Sequence, residues 1–322
     1  MRKSTAACLL AFGMVFPSLV LAQTYPTRPI RLIVPMPPGG GIDFVGRVVA
    51  QRISDRLGQQ IVVDNRAGAN GINGLHALAQ AAPDGYTIGF GSLGPVAVNP
   101  SMYKNLPYDP MRDFTFIATA NDFPLLLLTH QSLPVKNMKD LIALAKAKPG
   151  QLRFSTSGTG NADHLASELF RLMAKINIVH IPYKGAAPSA IALLSGETQM
   201  MFNSIPPVLP HVRSGKMRAL GVGSRERVPM LTDIPTVSEA GLPGYEGYSW
   251  GGIIGPAKLP ADIVQKLNYE VADALKQKDV ADRLLGNGCV PRSSTPEQFE
   301  ALTRSEMKKW GDLVKSANIT AD

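Results

Sequence analysis

Two glycine-rich segments of the sequence have the composition of loops that bind anions. The first reads PPGGGID, and its candidate ligand-binding residues are Pro38, Gly39, Gly40, Gly41 and Asp43. Glycine lets backbone N–H groups approach a ligand closely, and the N-terminus of the following helix carries partial positive charge. We therefore predict that this loop binds a carboxylate through its backbone. Asp43 could contact the ligand or serve only as a helix N-cap.

The second segment reads STSGTGNADH and also leads from a predicted strand into a predicted helix. Its candidate ligand-binding residues are Ser157, Gly158, Thr159, Gly160 and His164. Hydroxyl groups beside free N–H groups at a helix start suit a carboxylate. The glycine pattern excludes a nicotinamide dinucleotide site, because Asp163 replaces the third glycine and the downstream acidic residue is missing. The alternative roles are helix capping by Ser157, Asn161 or Asp163, and a hydrogen bond at the helix start for His164.

Three weaker candidates follow other predicted strands. Tyr183, Lys184 and Gly185 precede a helix, and Lys184 would supply a full positive charge. Ser92 and Asn203 each end a strand, where they could donate hydrogen bonds into a cleft. The alternatives are an exposed lysine for Lys184 and ordinary turn residues for Ser92 and Asn203.

The sequence offers little for catalysis, metals or cofactors. It contains no G-x-S-x-G motif, and no histidine lies in an H-E-x-x-H array. The proximity of His164 to Asp163 is the one local hint of a hydrolase, and adjacent helix residues point apart. Beyond the N-terminal segment, Cys289 is the single cysteine, so an internal disulfide is excluded there. We predict no catalytic residue, no metal and no cofactor.

Composition indicates a folded protein of two domains. Hydrophobic residues make up 45% of the 322 residues and charged residues 18%, which is typical of globular proteins. A chain of this length exceeds what one hydrophobic core usually spans. The net charge of +8 is spread thinly, without a cluster of Lys and Arg, so we predict no nucleic-acid partner.

The N-terminus has the pattern of a secretory signal peptide. Arg2 and Lys3 precede an uncharged, mostly apolar stretch, Ala6–Val20, and Ala22 supplies a small residue for cleavage. We predict that residues 1–22 are removed on export to the periplasm. The alternative is a membrane anchor, for which the uncharged stretch is somewhat short.

Predicted strands and helices alternate along the mature chain, first near 25–121 and again near 125–222. This alternation predicts parallel sheets with right-handed crossovers. The predicted strands of the first unit are Ile30–Val34, Ile61–Val63 and Tyr86–Phe90. The predicted strands of the second unit are Leu152–Ser155, Ile178–Ile181, Met200–Asn203 and Arg218–Val222.

The C-terminal third does not begin another such unit. It contains one apolar stretch, Trp250–Ile254, and then three helical segments without a sheet of their own. We predict that these helices return to cover the first lobe. Lobe one would comprise 23–123 and 224–322, and lobe two 124–223. The chain would cross between the lobes twice, forming a hinge and a cleft.

The sequence resembles the Bug or TctC family, the extracytoplasmic solute receptors of tripartite tricarboxylate transporters. The resemblance covers nearly the whole mature chain. It rests on YPTRPIRLIVPMPPGGGIDFVGR, VVDNRAGANGINGLHALAQAAPDGYTIGFGS, FSTSGTGNADHLASELF, IPYKGAAPSAIALLSGETQMMF and PTVSEAGLPGYEGYSW. The family implies a two-lobed type II periplasmic-binding α/β fold, with a mainly parallel sheet in each lobe and no catalysis.

The resemblance also implies a ligand and partners. Family ligands are di- or tricarboxylates, acidic amino acids or aromatic carboxylates, held at helix starts in both lobes. It implicates the Gly39–Gly41 loop and Asp43 in lobe one, and Ser157–Gly160 near Tyr183 in lobe two. We therefore expect a monomeric periplasmic receptor that serves the membrane subunits of a tripartite tricarboxylate transporter. The alternatives are a component that presents ligand to a sensor, and a periplasmic hydrolase.

Overall fold

The computed structural model describes residues 25–320, which form two separate sheets with flanking helices. The predicted signal peptide lies outside the described residues. The strands are β1 (Ile30–Val34), β2 (Ile61–Asn65), β3 (Thr87–Ser92), β4 (Phe114–Phe123), β5 (Leu125–His130), β6 (Arg153–Thr156), β7 (Val179–Pro182), β8 (Met200–Ser204), β9 (Met217–Val222), β10 (Ser249–Pro256) and β11 (Val290–Pro291). Within residues 25–320, no helix is both long and apolar enough to span a membrane.

Helices connect most of these strands and cover both sheets. They are α1 (Gly41–Leu57), α2 (Ile72–Ala79), α3 (Asn99–Met102), α4 (Pro110–Asp113), α5 (Met138–Ala147), α6 (Ala162–Ala174), α7 (Ala186–Leu194), α8 (Ile205–Arg213), α9 (Ala261–Lys276), α10 (Lys278–Gly286) and α11 (Pro296–Ser316). A π-helical turn, Gly94–Val98, and a 3-10 turn, Ala69–Gly71, lie between β2 and α3.

The first sheet has the strand order β11-β4-β10-β3-β1-β2. β1 pairs in parallel with β2 and β3, whereas β10 pairs antiparallel with β3 and β4. One apolar cluster joins this sheet to α1 and α9, and another contains residues of α2 and α11. The C-terminal helices therefore pack against the first sheet.

The second sheet has the order β7-β6-β8-β5-β9. β6 pairs in parallel with β7 and β8, and β5 pairs antiparallel with β8 and β9. Its core contains the stacked rings of Phe202 and Tyr245, together with Phe154 and Phe170. The two-lobed α/β organisation agrees with the sequence prediction. Four of the five strands, β6, β7, β8 and β9, run in the same direction, so this sheet is mainly parallel, as predicted. β5 runs in the opposite direction because it follows β4 directly through Pro124 and not through a helical crossover.

The chain passes between the sheets at two adjacent crossings. The first is Pro124, which joins β4 to β5, and the second begins at Gly223 after β9. The Gly223 N–H donates to the Leu125 carbonyl at 2.7 Å, and the Gly247 N–H donates to the Gly223 carbonyl at 2.9 Å. A side chain at Gly223 would meet the Gly247 carbonyl oxygen at 2.2 Å, so glycine permits this close approach.

Candidate functional site

A cavity of about 210 Å³ lies between the two sheets and is lined by Ile42 of α1 and by the start of α6. The first lobe contributes residues of the β1–α1 loop and the end of β3, and the second lobe contributes the α6 start and the end of β8. Drug-sized ligands usually occupy pockets of roughly 300–1,000 Å³, so this cavity suits a smaller molecule. Its position agrees with the tendency of ligands to bind beyond the carboxyl ends of strands.

Ser92 is the most notable polar side chain on the lobe-one wall. It ends β3, lines the cavity and is 1% exposed. Within residues 25–320 its hydroxyl has no hydrogen-bond partner. A buried hydroxyl without a partner carries a desolvation cost of about 1–3 kcal/mol. A ligand acceptor in the cavity would remove that cost, so this predicted residue is well placed for binding.

The start of α6 forms the lobe-two wall. Ser157, Gly160, Asn161 and Asp163 all line the cavity. Asp163 accepts hydrogen bonds from the Ser157 backbone N–H and hydroxyl, and the Ser157 hydroxyl also accepts from Asn161. The Ser157 side chain is therefore engaged within its own loop. The backbone N–H groups of Asp163 and His164 also interact with the Asp163 carboxylate, so the aspartate satisfies part of the first turn of α6.

Asp43 orders the β1–α1 loop. Its carboxylate accepts from the Gly39 N–H at 2.9 Å, from Asn65 at 2.8 Å and from Arg47 at 3.0 Å. Burial alone would raise the pKa of Asp43, but these hydrogen bonds outweigh it and lower the pKa. The side chain is 3% exposed and does not line the cavity. The N-cap of α1 is Gly40, which makes no side-chain capping hydrogen bond, and Asp43 is the third residue of the helix, so the predicted N-cap role of Asp43 is wrong. Its carboxylate bonds instead to the loop before the helix.

The glycines of that loop border a different cavity. Gly39, Gly40 and Gly41 line a neighbouring space, whereas Met36 and Ile42 on either side of them line the first cavity. Pro38 is exposed and lines neither cavity. The first loop therefore contributes its ends to the first cavity and its glycines to the second.

His164 lies behind the α6 loop. Its Nδ1 accepts a hydrogen bond from the Gly160 N–H at 3.0 Å, and its ring stacks on His180 at 4.0 Å between centroids. Burial lowers the pKa of His164 to about 3, so the ring is neutral. Asp163 bonds to Ser157 and not to this imidazole. The hydrolase hint from the adjacent His164 and Asp163 therefore has no geometric support.

The remaining predicted residues divide between the cavity and the surface. Asn203 is 2% exposed and lines the cavity, where its amide donates to the Ala186 carbonyl at 3.3 Å. Lys184 is exposed, and the Tyr183 hydroxyl donates to Glu197 at 2.7 Å outside the cavity. Gly158, Thr159 and Gly185 also lie outside the set of lining residues.

Several lining residues escaped sequence reasoning. Asn70 lies in the 3-10 turn with a left-handed backbone (φ 49°), and Ser249 begins β10. Pro95 lies in the π-helical turn after Ser92. The left-handed position of Asn70 is one that asparagine tolerates well, and its place in GANG gave a weak turn signal. The approach of Ser249 to the cavity depends on strand pairing and has no local signal.

Comparison with known proteins identifies the family. The family model described as "Tripartite tricarboxylate transporter family receptor" matches residues 45–319. The chain belongs to this receptor family. Among its relatives, Protein BugT of Bordetella pertussis is 38% identical over 297 residues, which cover 92% of this chain and 91% of BugT.

Solved structures of relatives share the fold of this receptor. Rpa4515 of R. palustris, solved with adipate, is 35% identical with a TM-score of 0.80 and covers 92% of this chain and 99% of that one. MatC of Rhodopseudomonas palustris, with bound malate, is 32% identical with a TM-score of 0.75 and covers 90% and 100%. The chain is thus a two-lobed periplasmic-type solute-binding protein and not an enzyme.

Proposed function

We propose that this receptor binds a small organic carboxylate in the cavity between its lobes. The observation that carries the proposal is the convergence of two helix starts and an unpartnered, buried Ser92 hydroxyl on one small cavity. α1 has 17 residues and α6 has 13, so each is long enough to carry partial positive charge at its start. Both macrodipoles favour an anion at this place.

The donors at this site are neutral. No Lys or Arg is among the residues that line the cavity within the described chain, and Asp163 is its one ionisable residue. A carboxylate would therefore be held by backbone N–H groups, the Ser92 hydroxyl and the Asn203 amide. Charge-assisted hydrogen bonds from such donors are roughly twice as strong as neutral ones. The adipate and malate bound by the two structural relatives support this ligand class.

The proposal extends to localisation and transport. We propose that residues 1–22 direct export to the periplasm and that the liganded receptor serves a tripartite tricarboxylate transporter. Family membership supports both statements. Intact-mass measurement of the periplasmic protein is expected to show a chain beginning at Gln23. A full-length product retained in the membrane fraction would contradict the export proposal.

We further propose that lobe one comprises 23–123 with 224–322, that lobe two comprises 124–223, and that ligand favours their closed arrangement. Donors on both sides of the cavity can reach one ligand only when the lobes are close. Met102 of lobe one already contacts the α6 loop, because a side chain at Gly160 would meet its methyl carbon at 2.5 Å. Small-angle scattering is expected to show a radius of gyration no larger with ligand than without it.

Calorimetry with acid and amide pairs tests the ligand class. Hexanedioate and malate are expected to bind at least about tenfold more tightly than their diamides, because the helix starts favour an anion. Replacing Ser92 by Ala is expected to weaken acid binding, whereas Ser132→Ala, at an exposed serine that does not line the cavity, serves as the matched control. Equal affinity for acid and amide would exclude the proposed carboxylate site.

A further inference from the structure

A second cavity of about 290 Å³ lies beside the first and also between the lobes. Its lobe-one wall contains Gly41, Phe44 and Cys289, and its lobe-two wall contains Pro206 and Pro207 at the start of α8. None of the functions derived above uses this space. Its size exceeds that of the first cavity, and its walls come from four separate parts of the chain.

The two cavities adjoin each other. Ser204, at the end of β8, lines both of them. Ile42 lines the first cavity and Gly41 the second, while Leu125 lines the first and Pro124 the second. Consecutive residues of two chain segments thus line the two spaces, so the cavities are neighbours. A ligand held in the first cavity has the second within reach past Ser204.

The walls of the second cavity are chemically unlike those of the first. Phe44, Phe123, Pro124, Pro206 and Cys289 supply apolar surface. No charged side chain lines this cavity within residues 25–320. Burial raises the pKa of Cys289 to about 12, so its thiol remains neutral and behaves as a small apolar group.

We propose that the ligand of this receptor is a carboxylate with an apolar tail, whose carboxylate occupies the first cavity and whose alkyl or aryl tail extends past Ser204 into the second. The inference rests on the proposed carboxylate site and specifies its substrate class. It assigns Phe44 and Phe123 as the apolar contacts of the tail.

Two variants that fill the second cavity from opposite lobes test this assignment. Asn287 and Pro207 are exposed residues that line it without lining the first cavity. Asn287→Trp and Pro207→Trp place a large ring there, and Asn287→Ala and Pro207→Ala are the matched controls. Because Pro207 lies in the first turn of α8 and Asn287 follows α10, neither change removes a helix-interior hydrogen bond.

Calorimetry with malate and 4-phenylbutanoate provides the measurement. Wild type is expected to bind 4-phenylbutanoate at least about tenfold more tightly than butanoate, because the phenyl ring buries apolar surface. Both Trp variants are expected to lose this gain while binding malate as the Ala controls do. A variant that still binds malate is folded. One folded Trp variant is therefore sufficient for the test.

The outcomes separate this inference from the proposed function. If butanoate and 4-phenylbutanoate bind equally to wild type, or if both folded Trp variants bind 4-phenylbutanoate as tightly as their Ala controls, the tail assignment is overturned and the carboxylate site stands. If malate, hexanedioate, butanoate and 4-phenylbutanoate all fail to bind wild type, the carboxylate site itself is overturned, and the tail assignment with it.

Discussion

The loops before α1 and α6 each bond to an aspartate of the following helix, but the two aspartates differ in their electrostatic surroundings. In each, an aspartate in the first helical turn accepts a hydrogen bond from a backbone N–H of the preceding loop. Asp43 also accepts from Arg47, and its pKa is lowered. Asp163 bonds only to Ser157 among side chains, and burial raises its pKa to about 6.

The difference follows from what surrounds each carboxylate. Arg47 lies one helical turn after Asp43, at a spacing that brings the two side chains together. The residue one turn after Asp163 is Ser167, whose hydroxyl donates to the Asp163 backbone carbonyl and not to its carboxylate. The first loop is thus held by a fixed ion pair. The second is held by neutral donors, and its aspartate lines the ligand cavity.

The largest expected difference between the two loops is the loss of stability when a glycine is replaced by alanine. Gly160 has a φ of 78°, a backbone conformation that costs an L-residue about 1–2 kcal/mol. Gly40 has a φ of −80°, and an added Cβ would find its nearest atom at 3.8 Å. We expect Gly160→Ala to lower the free energy of unfolding by about 1–2 kcal/mol and Gly40→Ala to change it by less than about 0.5 kcal/mol. Urea denaturation measures both values.

Ligand affinity provides a second comparison of the Gly160→Ala and Gly40→Ala variants. A Cβ at Gly160 would displace Met102 of the other lobe, so Gly160→Ala is also expected to weaken ligand binding. Equal stability and equal affinity of the two alanine variants would show that the α6 loop does not depend on its glycine.

Neutralising the two aspartates is expected to change stability in opposite directions at pH 8. Asp43→Asn removes a charge that its partners favour, so the free energy of unfolding should fall by about 1 kcal/mol. Asp163→Asn removes a charge that burial disfavours, so it should rise by about 1 kcal/mol. Thermal unfolding of wild type and both variants at pH 8 measures these effects.

The pH dependence of stability separates the two groups further. The stabilisation from Asp43 is present above the unfolded-state pKa and is lost as pH falls through its lowered folded-state pKa. The contribution of Asp163 is favourable in acid and is lost as pH rises through about 6. The two variants should therefore differ most at pH 8. A parallel response of both variants would show that the carboxylates are equivalent.

The smallest expected effect is on ligand affinity. Because Asp163 lines the cavity, its negative charge opposes a bound carboxylate above its pKa of about 6. Wild type should bind a carboxylate a few-fold, roughly threefold, more tightly at pH 5.5 than at pH 7.5, and Asp163→Asn should reduce this dependence. Asp122, at the first crossing, also has a pKa raised to about 6, so Asp163→Asn is the necessary comparison. Identical pH profiles of affinity for wild type and Asp163→Asn would show that the Asp163 carboxylate does not act on the bound ligand.

The sequence determined the features that depend on local pattern. The alternation of apolar runs and helical spacing predicted β1, α1 and the later units of both lobes, because these patterns report the period of each element. It did not predict β4 and β5, which flank the first crossing. The segment that contains them, FTFIATANDFPLLLLTH, has no sustained alternation of apolar and polar residues, and the short apolar run Leu125–Leu128 fits a buried strand and a buried helix equally well.

The sequence by itself also placed an aspartate after each of the two glycine-rich loops, at the start of a helix. Contacts between the first turn of a helix and the loop before it involve residues within a few positions of each other, so the sequence can predict them. Only the tertiary structure decided which of these residues meet. It directed Gly39–Gly41 to the second cavity, left Lys184 exposed, and brought Asn70 and Ser249 to the first. The composition of a cavity between lobes depends on strand pairing and crossings between residues far apart in the chain, and local spacing contains no record of those contacts.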